Sequence, residues 1–283
     1  MNVKVMNVNG RLMYRRDCSV REIPTPGYTE FSHLSITQGD IVYTISAGPK
    51  KASCVLRIDL SKEDQDPSIS VVRTARDDND LEELDISEPE LIEFQSDGVA
   101  VFAWFYKPKL PPVLLLGHGG PTSEAVNTLD LKKQFFTSRG FAVLDVNYRG
   151  STGFGTAFRN MLKRQWGIVD RDDMIAAARS VIARRLVDED KVCILGSSAG
   201  GYLVLSVLIH SDIFKAAVSI YGVADLVGLA KVHRVIDSYE GHGFRGSDAI
   251  RRSTEASYVF LCKALGITPS VSSDVSILPC FRN

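Results

Sequence analysis

The sequence predicts an α/β protein in which a mostly parallel sheet carries helices on both faces, preceded by an all-β segment. Three observations carry that expectation. From about residue 113 onward, short apolar runs alternate with stretches whose apolar residues recur at helical spacing. Residues up to about Ile86 hold strand-like runs only, separated by polar or glycine-containing turns. One stretch, Val192 to Leu205 (VCILGSSAGGYLVL), passes from strand character to helix character through a turn of small residues.

In chain order, the runs Leu34–Ile36, Ile41–Ile45 and Cys54–Ile58 are short strands, enough for one propeller blade and a little more, so residues 1–86 are expected to be a β-propeller remnant. Ser61 to Asp80 (with SKEDQDPS and RDDND) is charged and expected to be a solvated connector. From Glu90 a hairpin is expected, Leu91–Phe94 and Val99–Tyr106 flanking Ser96-Asp97-Gly98. Val113–Leu116 has the continuous hydrophobicity of a strand buried on both faces, and it runs into Gly117-His118-Gly119-Gly120-Pro121. Two readings of that loop stay open: a plain glycine turn, or a loop whose backbone approaches a developing oxyanion.

Ala125 to Arg139 reads as a helix closed by Gly140, and Phe141–Val146 as the next buried strand. Asn147 to Gly155 (NYRGSTGFG) is a glycine-rich loop at a strand's carboxyl end, where α/β sheets hold ligands. Asp170 to Leu186 places Met174, Ala178, Val181, Ile182 and Leu186 on one helical stripe. Ala216–Tyr221 is one more strand, and Asp248 to Leu265 a final helix with Ile250, Val259, Phe260 and Leu265 as core candidates. The stretch 267–283, rich in Ser and without periodicity, is expected to be disordered. The middle part, 87–266, is thus the α/β domain.

The chemistry concentrates in Gly196-Ser197-Ser198-Ala199-Gly200. A GxSxG pattern on a strand-to-helix turn is a nucleophile elbow: the turn is strained and crowded, so both flanking positions must be glycine, and the central serine stands exposed at a helix N-terminus. Ser198 fits that register and Ser197 does not. There the Ala199 N–H and the helix dipole can stabilise a developing oxyanion.

Composition excludes several alternatives. With 283 residues, 45% hydrophobic, the chain can bury a sizeable core. A formal net charge of -1 gives no electrostatic case for nucleic acid or an anionic membrane as partner. Five cysteines without CxxC spacing argue against a disulfide framework and for a reducing, cytoplasmic setting. No leader-like or membrane-spanning apolar run is present, and the five histidines form no metal-ligand pattern, so neither metal nor cofactor is expected.

With those residues in place, the chain resembles the prolyl oligopeptidase family of serine peptidases, most closely its acylaminoacyl-peptidase and dipeptidyl-peptidase-like members. The motifs are HGGP at His118 to Pro121, NYRGSTGFG at Asn147 to Gly155, WGIVDRDD at Trp166 to Asp173, GSSAGGY at Gly196 to Tyr202, YGVADL at Tyr221 to Leu226 and GHGF at Gly241 to Phe244. The resemblance implies an α/β-hydrolase domain after a β-propeller, with Ser198 as nucleophile, His242 as general base and acid, and the N–H groups of Gly120 and Ala199 as the oxyanion hole. His118, His33, His210 and His233 are then structural.

Between Ala216–Tyr221 and GHGF the family has a further strand, an Asp-bearing loop, a helix and a last strand. Here about 20 residues intervene. Roughly 60 to 80 residues of the elbow architecture, the triad acid among them, would be missing. Asp225 and Asp237 are the candidates left in the gap. The resemblance therefore implies a hydrolase domain lacking the last strands of its sheet, with Ala216–Tyr221 as an apolar open edge through which a homo-oligomer would form. Three functions follow: a peptidase acting on short peptides, an inactive isoform acting by binding or dimerisation, and a carboxylesterase-like hydrolase.

Overall fold

The structure is a computed structural model that describes residues 4–8, 10–16, 19–37, 39–62, 66–76, 81, 86–107, 111–223 and 246–271. Its contacts divide the chain into two units, residues 1–89 with 126–134, and residues 90–125 with 135–283.

Among the described residues, the first unit is mainly antiparallel β-sheet. Strands β1 (Lys4–Val8), β2 (Arg11–Arg16) and β3 (Ser19–Ile23) form an antiparallel sheet in chain order. Strands β4 (Glu30–Thr37), β5 (Ile41–Gly48), β6 (Lys51–Asp59) and β7 (Ser68–Thr74) form a second, four-stranded antiparallel meander. Alternating residues of β5 and β6 point inward, and Leu12, Ile23, Phe31, Val42, Cys54, Leu56 and Ile58 make the core. The three expected runs lie in β4, β5 and β6. The connector expected over Ser61 to Asp80 is corrected, because β7 forms inside it. β7 is an edge strand, mostly exposed, held by the ladder to β6 with little apolar burial to mark it in the sequence.

The second unit has a six-stranded sheet in the order β13-β12-β10-β11-β9-β8. The strands are β8 (Pro89–Ser96), β9 (Val99–Tyr106), β10 (Val113–Gly117), β11 (Ala142–Asn147), β12 (Val192–Ser197) and β13 (Ala216–Ile220). The four strands β13, β12, β10 and β11 run parallel, and β9 is antiparallel to β11. The β8–β9 hairpin turns on Asp97 and Gly98, both with positive φ (47° and 77°), the type I′ geometry that matches strand twist. Among the described residues, β13 closes one edge of the sheet.

The helices among the described residues include α1 (Leu131–Thr137), α2 (Gly155–Asn160), α3 (Val169–Ala183), α4 (Ala199–His210) and α5 (Ser247–Ala264). Side chains alternate across the sheet. Val113, Leu115, Leu144, Val192 and Ile194 pack with Met174, Ala178 and Val181 of α3 and Leu203, Val204 and Val207 of α4. Leu114, Val143 and Cys193 pack on the other face with Phe136 of α1 and Tyr258, Val259, Leu261 and Cys262 of α5. The mixed, mostly parallel sheet covered on both faces is thereby as expected.

Three boundaries differ from expectation. The helix expected from Ala125 begins only at Leu131, because the Asp130 carboxylate accepts the Lys132 N–H at 2.8 Å and caps the helix there. α2 lies just after the glycine loop and is too short to leave a periodic signal. The tail is ordered further than expected: Ile267 and Val271 pack on the α5 face, and Ser270 N–H donates to Tyr258 Oη at 3.2 Å. Residues 272–283 of that expected tail lie outside the described ones.

Candidate active site

Ser198 sits between the last residue of β12 and the first of α4 with φ 56° and ψ −119°. That conformation costs a non-glycine residue of order 1–3 kcal/mol and persists only where its surroundings impose it. Here backbone packing imposes it. A Cβ at Gly196 would lie 2.2 Å from the Gly200 carbonyl oxygen, and one at Gly200 would lie 2.1 Å from that of Gly117. Ser198 N–H donates to Ile220 O at 3.1 Å, and Tyr202 N–H donates to Ser198 O at 3.2 Å. Ser198 is half-buried while Ala199 is buried at the helix N-terminus.

The glycine loop after β10 runs beside this turn. A Cβ at Gly119 would be 3.7 Å from Ser198 Cβ and 3.5 Å from Ser197 O, ordinary contact distances that place the loop's backbone directly against the serine. Gly120 is exposed with φ 121°, and a Cβ there would lie 2.6 Å from Thr122 N. The structure thus brings Ser198, Ala199 and the loop of Gly120 together. His242, Asp225 and Asp237 lie outside the described residues, as does His233.

His118 is fixed in place. Its Nε2 is 2.7 Å from Ser151 Oγ and its Nδ1 is 2.8 Å from Gly119 O. Burial lowers its pKa to about 4, against a smaller opposing pull from the Gly119 carbonyl, so the ring is neutral at pH 7. His210 is bonded within α4, its Nδ1 2.8 Å from Ser206 O, and His33 lies on the exposed surface of β4. Burial pushes the Cys193 thiol up to about 12, which leaves no thiolate to compete as a nucleophile.

Two of the motifs hold residues whose work is not visible in the sequence. In NYRGSTGFG, Arg149 is buried and forks onto Asp173 of WGIVDRDD: Nε–Oδ1 is 2.9 Å, Nη2–Oδ1 is 2.7 Å, and Arg149 N–H donates to Asp173 Oδ2 at 2.7 Å. Nη2 also reaches Ser96 Oγ and Asp97 Oδ2, each at 3.1 Å. Burial raises the Asp173 pKa and the bonds from Arg149 and Ser96 oppose it, while burial lowers that of Arg149 and its bonds to Asp173 and Asp97 more than offset this. The Asp173 carboxylate accepts from both the guanidinium and the backbone N–H of Arg149, which makes the two an ionised pair. The signal available in sequence was an arginine in a glycine loop and acidic residues three apart on one helix.

Asp170 is fully buried beside this pair, with Gly167 N–H donating to its Oδ1 at 2.6 Å. Burial raises its pKa to about 6, the backbone N–H groups of Gly167, Asp170 and Arg171 pull it down, and Asp173 adds to the rise. A carboxyl whose folded pKa exceeds its unfolded one binds protons better in the fold. Its stabilising contribution is full below about pH 4 and disappears as pH rises through about 6, a penalty of roughly 2–3 kcal/mol by pH 7. Asp170→Asn is expected to flatten the fall of unfolding free energy between pH 4 and 7, read from urea titrations of both proteins. Parallel pH profiles would rule out the assignment.

A groove of about 920 Å³ lies between β8 and α3 and is lined by Glu93, Asp97, Arg171, Arg179 and His210 among others; it contains no residue of the elbow. Among the described residues, no three His, Cys, Asp or Glu side chains converge as a metal site.

Residues 127–234 match the prolyl oligopeptidase family. The chain is 39% identical over 116 residues to dipeptidyl aminopeptidase BIII of Pseudoxanthomonas mexicana, covering 41% of this chain and 17% of that protein. It is 35% identical over 119 residues to acylamino-acid-releasing enzyme 2 of Oryza sativa subsp. japonica, covering 42% of this chain and 15% of that protein. In structure it is similar to a Mycobacterium tuberculosis puromycin-hydrolyzing peptidase, with a TM-score of 0.82 and 26% identity, covering 92% of this chain and 51% of that one. The chain therefore spans less than a fifth of the length of those curated relatives and about half of the solved one.

Proposed function

We propose that this chain, which belongs to the prolyl oligopeptidase family, is a serine-type peptidase that hydrolyses short peptides through an acyl-enzyme. The observation that carries the reading is Ser198 itself: a serine held at positive φ at a helix N-terminus, with a glycine loop beside it. In this mechanism Ser198 Oγ attacks the scissile carbonyl as His242 takes its proton. The N–H groups of Ala199 and Gly120 receive the oxyanion, His242 returns the proton to the leaving amine, and water releases the acyl group by the same path.

The four-stranded meander β4–β7 supports reading the first unit as a propeller remnant, four antiparallel strands being one blade. The described cysteines Cys54, Cys193 and Cys262 are free thiols, which supports a cytoplasmic setting. Among the described residues, no helix is long and apolar enough to cross a membrane.

The triad acid is unassigned, Asp225 and Asp237 being the candidates between Tyr221 and Gly241. The short stretch between Tyr221 and Gly241 favours a second reading, an isoform that binds peptides or a second copy of itself and turns over little. A carboxylesterase would use the same residues.

Labelling by a fluorophosphonate tests the nucleophile. Ser198→Ala is expected to abolish it and Ser197→Ala to leave most of it. Equal labelling of wild type and Ser198→Ala would refute the assignment, and peptide against ester turnover separates the two hydrolase readings.

A further inference from the structure

We infer that Tyr148 is a positioning residue that holds the backbone N–H of Gly120 in register with Ser198. The inference rests on the oxyanion role proposed above. Gly119 and Gly120 have no side chains; apart from the Gly119 carbonyl, which lies 2.8 Å from His118 Nδ1, their geometry is inherited from His118 on one side and Pro121 on the other. Tyr148 touches both. Its ring stacks on the His118 imidazole with centroids 4.1 Å apart, and its Oη lies 2.8 Å from His118 O, 3.1 Å from Pro121 O and 3.0 Å from His118 Nδ1. The phenol donates its one proton between the two carbonyls, which closes the loop at its base.

The residues around Tyr148 fasten the rest of the same loop. Asn147 Oδ1 accepts the Ala125 N–H at 2.8 Å and Asn147 Nδ2 donates to Ala125 O at 3.0 Å. Thr152 N–H donates to Ser123 O at 2.9 Å, and Ser151 Oγ meets His118 Nε2. These contacts hold residues 118 and 123–125. Tyr148 is bonded to both flanks of the glycine pair. It is 1% exposed, and burial, with a smaller push from Asp170, raises its pKa, so the phenol stays a donor throughout the working range.

Tyr148→Phe keeps the stacked ring and removes the donor. Backbone 15N relaxation is expected to show the order parameters of Gly119 and Gly120 falling from about 0.85, a rigid backbone, to below about 0.6, while Leu114 and Leu115 of β10 stay rigid as the fold control. The rate of fluorophosphonate labelling at Ser198 is expected to fall at least about tenfold, since a displacement of about 1 Å in a catalytic group can cost a hundredfold. Unchanged order parameters, or unchanged labelling of a variant whose wild type labels, would overturn the inference. A wild type that does not label would instead count against the Ser198 mechanism, and the order parameters would still decide the role of Tyr148.

Discussion

Gly200→Ala is expected to destabilise the second unit by about 3 kcal/mol or more, against the ordinary preference of a helix for alanine. Gly200 is the second residue of α4 and has no positive φ to protect, so helix propensity alone predicts a gain of about 1 kcal/mol. The space around it decides otherwise. The new Cβ would lie 2.1 Å from Gly117 O, 2.9 Å from Gly117 C and 2.9 Å from His118 O, all backbone atoms. Gly117 ends β10, which is hydrogen-bonded to β11 on one side and β12 on the other, so it cannot retreat without breaking a ladder. Helix α4 would have to lift off, taking the Ser198 turn with it. The expected loss corresponds to a fall in melting temperature of roughly 6–12 °C for a domain of this size. Thermal unfolding followed by circular dichroism measures it. A melting temperature equal to or above that of wild type would show that the strand–helix contact is looser than described.

The same packing explains why the elbow could be read from sequence. Its constraint is local: five consecutive residues must make a turn that only glycines can flank, so Gly196, Ser198 and Gly200 declare themselves without knowledge of the fold. The buried runs of β10, β11 and β12 were equally legible, because a central strand of a parallel sheet is apolar on both faces. Features set by a single contact were not. The start of α1 depends on whether Asp130 caps, and the strand in Ser68–Thr74 depends on pairing with β6: its short run of Ile69, Val71 and Val72 sits between charged stretches whose composition reads as a connector. The contact between Ser270 and Tyr258 orders residues that composition alone assigned to a disordered tail. In the site, Arg149 and Asp173 are 24 residues apart, and nothing in their local sequence says that they meet. The elbow was therefore readable and its support was not.

That support makes Asp173→Ala the other large expected effect. The substitution is expected to cost about 3–5 kcal/mol, because it leaves the Arg149 guanidinium buried without its main counter-charge. Asp97 can replace little of the loss: its carboxylate is on the exposed hairpin turn, with 67% of the side chain open to solvent, where a charge interaction is weak. Ser96 offers only a neutral acceptor. Against a total stability of about 5–15 kcal/mol, the change is large enough to read directly from urea titrations at pH 7. The loss should also be felt at the site, since Arg149 is the residue after Tyr148 and its backbone N–H is held by the same carboxylate. The pair is separable from general damage by a second variant, Arg149→Met with Asp173→Leu, in which neither charge of the pair remains. Replacing a buried ion pair by apolar residues of similar volume is often nearly neutral, so the double variant is expected to recover most of the stability lost by Asp173→Ala. If the double variant is as unstable as the single, the cost lies in lost packing and not in the stranded charge; if Asp173→Ala stays within about 1 kcal/mol of wild type, the ion pair does not hold the loop.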